Sequence, residues 1–281
     1  MSMLIADAQV HVWEADTPQR PWPRQGGDLP KPHSAQPLTP GRLLTEMGAA
    51  GVSRAVLVSP SFEGTRNDLV CEAARVHPMR FAVMARFEPM APGARDFMPK
   101  CRELPGVRGV RQSFHRIGSR EMLLGDGMGW FWEQAQELDL PLMILVLQED
   151  MPRVGEIAMR YPRLRIALDH LGLHEGRDEA AFKHFANVIA LAKHPNICVK
   201  TSCLPLYTAD AYPFRRIHGY VREVYNAYGA RRMFWGSDLS RLPCSYRQGV
   251  TYFTEELDWL KGGELELVMG RALCQWLNWA V

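Results

Sequence analysis

Residues 4–13 read Leu4-Ile5-Ala6-Asp7-Ala8-Gln9-Val10-His11-Val12-Trp13, a short apolar lead passing into strict alternation. Alternate side chains of an extended strand share a face, so Asp7, Gln9, His11 and Trp13 are expected to point one way. Three polar groups and an indole converging at a strand end predict part of a site.

The same kind of run recurs along the chain. Strands are predicted at 4–7, 54–59, 80–86, 107–111, 142–146, 164–169, 196–200 and 233–237. Amphipathic stretches lie between them, at 66–77, 128–139, 151–161, 180–194 and 213–228, with a terminal helical segment at 257–279. Another helix should start at Thr39-Pro40, where threonine can cap and proline suits the first helical position. Apolar runs alternating with helical ones are the pattern of βα units on a parallel sheet. Eight such units, with no break in composition, predict one α/β domain over 1–281, a (β/α)8 TIM barrel.

Composition removes several functions. About 47% of the 281 residues are apolar and the net charge is +2 with signs interspersed, so neither nucleic acid nor a membrane surface is an expected partner. The six cysteines show no CxxC spacing and read as reduced thiols of a cytoplasmic protein. No basic lead precedes Asp7, so no signal peptide is expected, and the run Met143 to Leu147 is too short to cross a bilayer.

Residues 14–38 are rich in proline and glycine and follow the first strand. A barrel carries its sites at the C-terminal ends of its strands, so this segment is expected to be a lid or pocket wall, with Trp22 and His33 as contacts. Ionisable groups gather at the same ends: Gln9 and His11, Arg86 and Glu88, Arg111 and His115, Asp169 and His170, Lys200 and Ser202, then Asp238 and Arg241. Each alone has an ordinary structural reading, since a histidine after a strand is commonly just a hydrogen-bonded residue and an aspartate commonly a helix cap. Their delivery to one face by independent strands is what suggests a site.

At this point the chain resembles the amidohydrolase superfamily. The motifs that carry the resemblance are DAQVHVW (7–13), GVRGVR (106–111), LDHLG (168–172), NICVKTS (196–202), FWGSDLSR (234–241) and VMGRALCQWL (268–277). They are most similar to the amidohydrolase-related branch that holds dicarboxylate lactonases, sugar lactonases and decarboxylases of the aminocarboxymuconate type. Two departures matter. The family's opening His-x-His metal pair reads Gln9-Val10-His11 here, and the metal-ligand histidine at the end of strand five is replaced by Leu145-Val146-Leu147-Gln148. An amide oxygen is a poor zinc ligand, so no catalytic metal is expected even though His11, His170 and Asp238 could supply three donors.

The resemblance then implies a hydrolase acting on a small carboxylate-bearing lactone. Asp238 is expected to take a proton from water, while His11, His170 and the Gln9 amide hydrogen-bond the carbonyl oxygen. Arg111 is expected to grip the substrate carboxylate, with Arg86, Lys200 and Arg241 as further anionic contacts and Trp22, Tyr207 and Phe62 as an aromatic wall. Asp169, sent by strand alternation to the face opposite His170, is expected to be a supporting partner, and Glu88 is the reserve base. The alternatives are a metal-dependent decarboxylase or hydratase, a cyclic amide or imide hydrolase, and a binding protein without chemistry. A homo-oligomer is a mild default, with Trp276 and Trp279 assigned either to the barrel's closed end or to a dimer contact.

Overall fold

The computed structural model describes residues 3–23 and 31–280. Eight parallel strands follow chain order around one sheet: β1 (Ala6–Val10), β2 (Arg54–Leu57), β3 (Phe81–Ala85), β4 (Val107–Ser113), β5 (Leu142–Leu145), β6 (Ile166–Leu168), β7 (Ile197–Ser202) and β8 (Met233–Gly236). The sheet curls until β8 returns to β1, where Asp238 N–H donates to the Gln9 carbonyl at 3.0 Å and Ser237 N–H to Asp7 Oδ1 at 2.9 Å. This is the barrel that the eight apolar runs predict. Its strands are buried on both faces, which is why they read as almost continuous apolar stretches.

Val56, Ala82, Met84, Met143, Ala167 and Phe234 fill the interior, and the C-terminal residues Leu273, Leu277 and Trp279 belong to the same cluster. Arg54 lies over the Trp279 ring at 4.9 Å, and Trp276 packs 5.6 Å from Phe234. The two tryptophans therefore close the barrel floor. The terminal helical segment divides into Gly262–Glu266, a wider turn at Leu267–Arg271, and Ala272–Trp276. A short helix at Ala94–Cys101 escaped the sequence reading because Pro99 lies inside it. Thr39 caps the helix Pro40–Ala50, accepting from Arg42 N–H at 3.3 Å. No helix among the described residues is long and apolar enough to cross a membrane.

One expectation about β1 is corrected. The β1–β2 register shifts between Asp7 and Val10, a bulge that breaks the alternation of side chains. Ala6 and Ala8 join the interior cluster while Gln9 and His11 open to the strands' C-terminal end. Asp7 instead reaches β8 and accepts from the Tyr246 hydroxyl at 2.7 Å, and Trp13 packs 5.6 Å from Phe62. The four side chains that period two places together serve three different places.

A second turn device shapes the end of β6. His170, Leu171 and Gly172 all adopt left-handed φ, at 52°, 55° and 68°. A Cβ on Gly172 would stand 2.7 Å from the Val146 carbonyl oxygen, so only glycine fits the third position. The strand ends at Leu168, and period two no longer governs Asp169 and His170. Both consequently turn inward, His170 to line the cavity at the mouth and Asp169 to lie beneath it against Lys200 and Arg111, correcting the expectation that they face opposite ways while leaving Asp169 the supporting partner it was expected to be.

Candidate functional site

A cavity of about 60 Å³ lies in the mouth of the barrel, walled by Gln9, His11, Arg111, His170 and Asp238 and reached by His33, Arg86, Tyr207 and Arg241. His115 and His174 line both this cavity and an adjoining one of about 400 Å³. The remaining assignments move. Lys200 is wholly buried beneath the cavity, so it is no substrate contact. Trp22 donates its indole N–H to the Glu14 carbonyl at 3.1 Å and packs against Phe62 at 4.9 Å, tilted by 50°, and neither ring lines the cavity. Glu88 is exposed and lines a separate cavity between the helices Asp68–Val76 and Ala94–Cys101. It cannot act as a reserve base.

Of the expected lid at 14–38, residues 24–30 lie outside the described residues. Before them Arg20 pairs with Glu63 at 3.3 Å, and after them His33 Nδ1 lies 2.7 Å from Ser240 Oγ. The His33 ring stands edge-on to His11 at 5.4 Å, so this flank does wall the site.

Asp238 occupies a left-handed conformation directly after β8, φ 49° and ψ 50°. Its Oδ1 lies 3.3 Å from His11 Nε2 and its Oδ2 3.7 Å from His170 Nε2. Oδ1 is buried without a hydrogen-bond partner. Burial pushes this carboxyl up, whereas a proton on His11, His170 or His33 and the charge of Arg241 pull it down, the net direction being below the usual carboxylate range. A buried carboxylate oxygen without a hydrogen-bond partner is an acceptor awaiting a donor.

His11 has the opposite polarity to the one expected. Its Nδ1 donates to the Val58 carbonyl at 2.8 Å, which leaves Nε2 bare when the ring is neutral. Burial lowers its pKa to about 3 despite the Asp238 carboxylate. A neutral ring in this tautomer has no hydrogen to offer a carbonyl oxygen, and the donor role assigned to His11 is corrected. Gln9 likewise spends its amide inside the site: Nε2 lies 3.3 Å from His11 Nε2 and 3.2 Å from His170 Nε2, and Oε1 lies 2.5 Å from Lys200 Nζ.

Donors come from elsewhere. Arg111 is buried, giving Nε to Asp169 Oδ2 at 3.0 Å and Nη1 to Ser113 Oγ, so Nη2 remains for a ligand. Arg86 donates to the Ser59 carbonyl at 3.3 Å and has no carboxylate in ion-pair range among the described residues; burial, Arg111 and Arg116 pull it down to about 9. Arg116 and Arg241 are exposed at the rim. Sequence reasoning missed Arg116, although its place five residues after Arg111 beyond β4 was the available signal.

The buried histidines make folding sensitive to acid. His11 and His115 are lowered to about 3 by burial, and His33 and His170 are lowered too. Between about pH 6.5 and 3 the unfolded chain binds protons that the native state refuses, so stability falls as pH falls through that window. Asp7, raised to about 6 by burial, acts in the opposite sense over a narrower range. The urea midpoint should therefore be lower at pH 5 than at pH 7.5, and an equal or higher midpoint would contradict the neutral burial of these rings.

The donor set fits a divalent cation poorly. The imidazole Nε2 atoms face an amide NH2, a group that ligates no metal, and an ammonium stands behind it. Among the described residues no cluster of three or more His, Cys, Asp or Glu side chains could hold an ion.

Against known proteins, the amidohydrolase family model matches residues 6–267. The chain belongs to the amidohydrolase family. L-fucono-1,5-lactonase from Burkholderia ambifaria is 30% identical over 244 residues, spanning 84% of this amidohydrolase and 81% of that protein. A Burkholderia multivorans amidohydrolase solved with bound zinc superposes with TM-score 0.78 at 21% identity, covering 98% of this chain and 99% of that one. A Pseudomonas putida protein with the provisional name 2-pyrone-4,6-dicarboxylic acid hydrolase superposes with TM-score 0.76 at 22% identity over 100% of both chains. At these identities the two structures show the fold that this amidohydrolase shares.

Proposed function

We propose that this amidohydrolase hydrolyses a small lactone bearing a carboxylate, without a metal ion. The observation that carries the reading is the pairing of one ionised, unpartnered carboxylate oxygen on Asp238 with four guanidinium groups, Arg86, Arg111, Arg116 and Arg241, around the same cavity. Among the described residues those groups outnumber the one carboxylate lining the cavity, so the site favours an anionic ligand over a neutral one. The relative named as a lactonase and the structural neighbour provisionally named as a pyrone-dicarboxylic acid hydrolase support ester hydrolysis.

Asp238 Oδ1 accepts a hydrogen bond from water and takes its proton as the water oxygen attacks the ring carbonyl. The developing oxyanion is met by guanidinium donors, with Arg111 Nη2 the buried one, in surroundings where charge is weakly screened. When the ring C–O bond breaks, the alkoxide takes the proton back from Asp238. Lactone and water thus become a hydroxy acid, and the carboxylate is restored.

The reading is tested by acid release from carboxylated and neutral lactones, with and without a chelator. Chelator-resistant turnover confined to the carboxylated compounds is the expected result; turnover abolished by chelation would overturn metal independence, and preference for neutral lactones would overturn the anionic substrate class. Arg86→Gln should raise KM about 10- to 100-fold with kcat little changed, since a hydrogen bond to a charged group contributes about 1.5–3 kcal/mol. Arg86 is the better probe than Arg111 because no buried acid among the described residues pairs with it, whereas Arg111 holds Asp169.

A further inference from the structure

We propose that Lys200, clamped by Asp169, is a positioning residue that orients the Gln9 amide and thereby decides on which nitrogen His170 carries its proton. The consequence for turnover rests on the hydrolytic reading above, whereas the proton's location rests on hydrogen-bond geometry alone.

Lys200 Nζ is fully buried, with Asp169 Oδ1 at 2.7 Å, Gln9 Oε1 at 2.5 Å and Met143 Sδ at 3.6 Å. An ammonium has three hydrogens and accepts none, so these three partners saturate it and the Gln9 atom facing it must be the oxygen. The Gln9 NH2 is then committed to the other side. Its nearest partners are the two imidazole Nε2 atoms, at 3.3 Å for His11 and 3.2 Å for His170, and it has one hydrogen for each. Both Nε2 atoms must therefore accept.

For His11 this repeats what the Val58 carbonyl already requires at Nδ1. His170 is different. Its Nδ1 partner, Ser202 Oγ at 2.8 Å, is a hydroxyl that can donate or accept and so leaves the tautomer open. Asp238 Oδ2, at 3.7 Å from Nε2, lies beyond hydrogen-bond distance, so the Gln9 NH2 at 3.2 Å decides it, placing the proton on Nδ1. With that, Gln9, His11 and His170 turn no hydrogen toward the cavity, and a donor entering it is directed to Asp238 Oδ1. The device aims the attacking water rather than polarising the carbonyl. It replaces the donor role expected for His170.

The test reads imidazole 15N shifts in the full-length protein near neutral pH, with His170 assigned by the signals lost in His170→Gln. The native protein should show a protonated Nδ1 and a bare Nε2. In Lys200→Met the amide is freed to turn, the Nδ1-protonated pattern at His170 should be lost, and kcat should fall about 10- to 100-fold with KM nearly unchanged, as expected when a reacting group is misaligned. If Lys200→Met fails to fold, Gln9→Glu decides: its carboxylate keeps Lys200 partnered but has no hydrogens for the rings, so His170 should gain a proton on Nε2. A native His170 protonated on Nε2, or an unchanged pattern in whichever of the two variants folds, overturns the proposal. Absence of lactone turnover in the native protein would count against the hydrolytic reading, while the 15N pattern still decides this one.

Discussion

Asp238→Asn should lower kcat about 10³-fold, within the 10²–10⁴ range of a positioned general base, while the protein stays folded. The substitution is clean for a conformational reason. Asp238 sits at φ 49° and ψ 50°, a left-handed conformation that asparagine tolerates well and most side chains do not, and its N–H still reaches the Gln9 carbonyl at 3.0 Å. What disappears is the charge and the ability to hold a proton at Oδ1. Single-turnover kinetics on a carboxylated lactone, with a thermal melt as control, measures the effect. Turnover near the native rate would remove Asp238 from the mechanism, and with Glu88 exposed outside the cavity no second carboxylate among the described residues lines it.

Asp169→Asn should have the largest effect on stability. Its carboxylate is wholly buried and holds two buried cations at once, Lys200 at 2.7 Å and Arg111 at 3.0 Å. Those neighbours hold it well below the usual carboxylate range, against the burial that would raise it. Removing one partner of a buried ion pair costs about 3–5 kcal/mol, because the partner left behind keeps its desolvation and loses its attraction. A Tm lower by about 10 °C is expected for a chain of this size. Pairing Asp169→Asn with Lys200→Met should recover part of the loss, since the second change removes one stranded charge. A drop of only a degree or two in the single variant would mean that the triad contributes little.

The low carboxylate pKa at Asp169 sets a second acid-sensitive window. A folded-state pKa below the unfolded value gives stability that is present above about pH 4 and lost as pH falls further. It overlaps the acid end of the window set by the buried histidines and extends below it, so stability should keep falling below about pH 3 rather than level off there.

Local sequence carried much of this molecule. The apolar runs, their spacing and the polar residues at their ends predict a barrel with Gln9, His11, Arg86, Arg111, His170, Asp238 and Arg241 at one mouth, and all seven line one cavity. These are readable because strand burial and the polarity of strand ends are properties of short stretches. Side-chain direction was less readable. The bulge in β1 and the left-handed turn after β6 each cancel the period-two rule, and neither leaves a mark in composition.

Roles were least readable of all. Lys200 reads as an anion contact at a strand end, yet it lies under the cavity because Asp169 and Gln9 hold its ammonium there. His11 reads as a donor, yet a backbone carbonyl just past the end of β2, at Val58, takes its hydrogen. Thus the sequence alone determined the barrel, the face that carries chemistry and the set of ionisable groups, since hydrophobic patterning is local. Only the tertiary structure decided which of those groups donate, which accept and which merely hold others in place, because a hydrogen bond's polarity depends on both partners, and here the partners lie 31 to 191 residues apart.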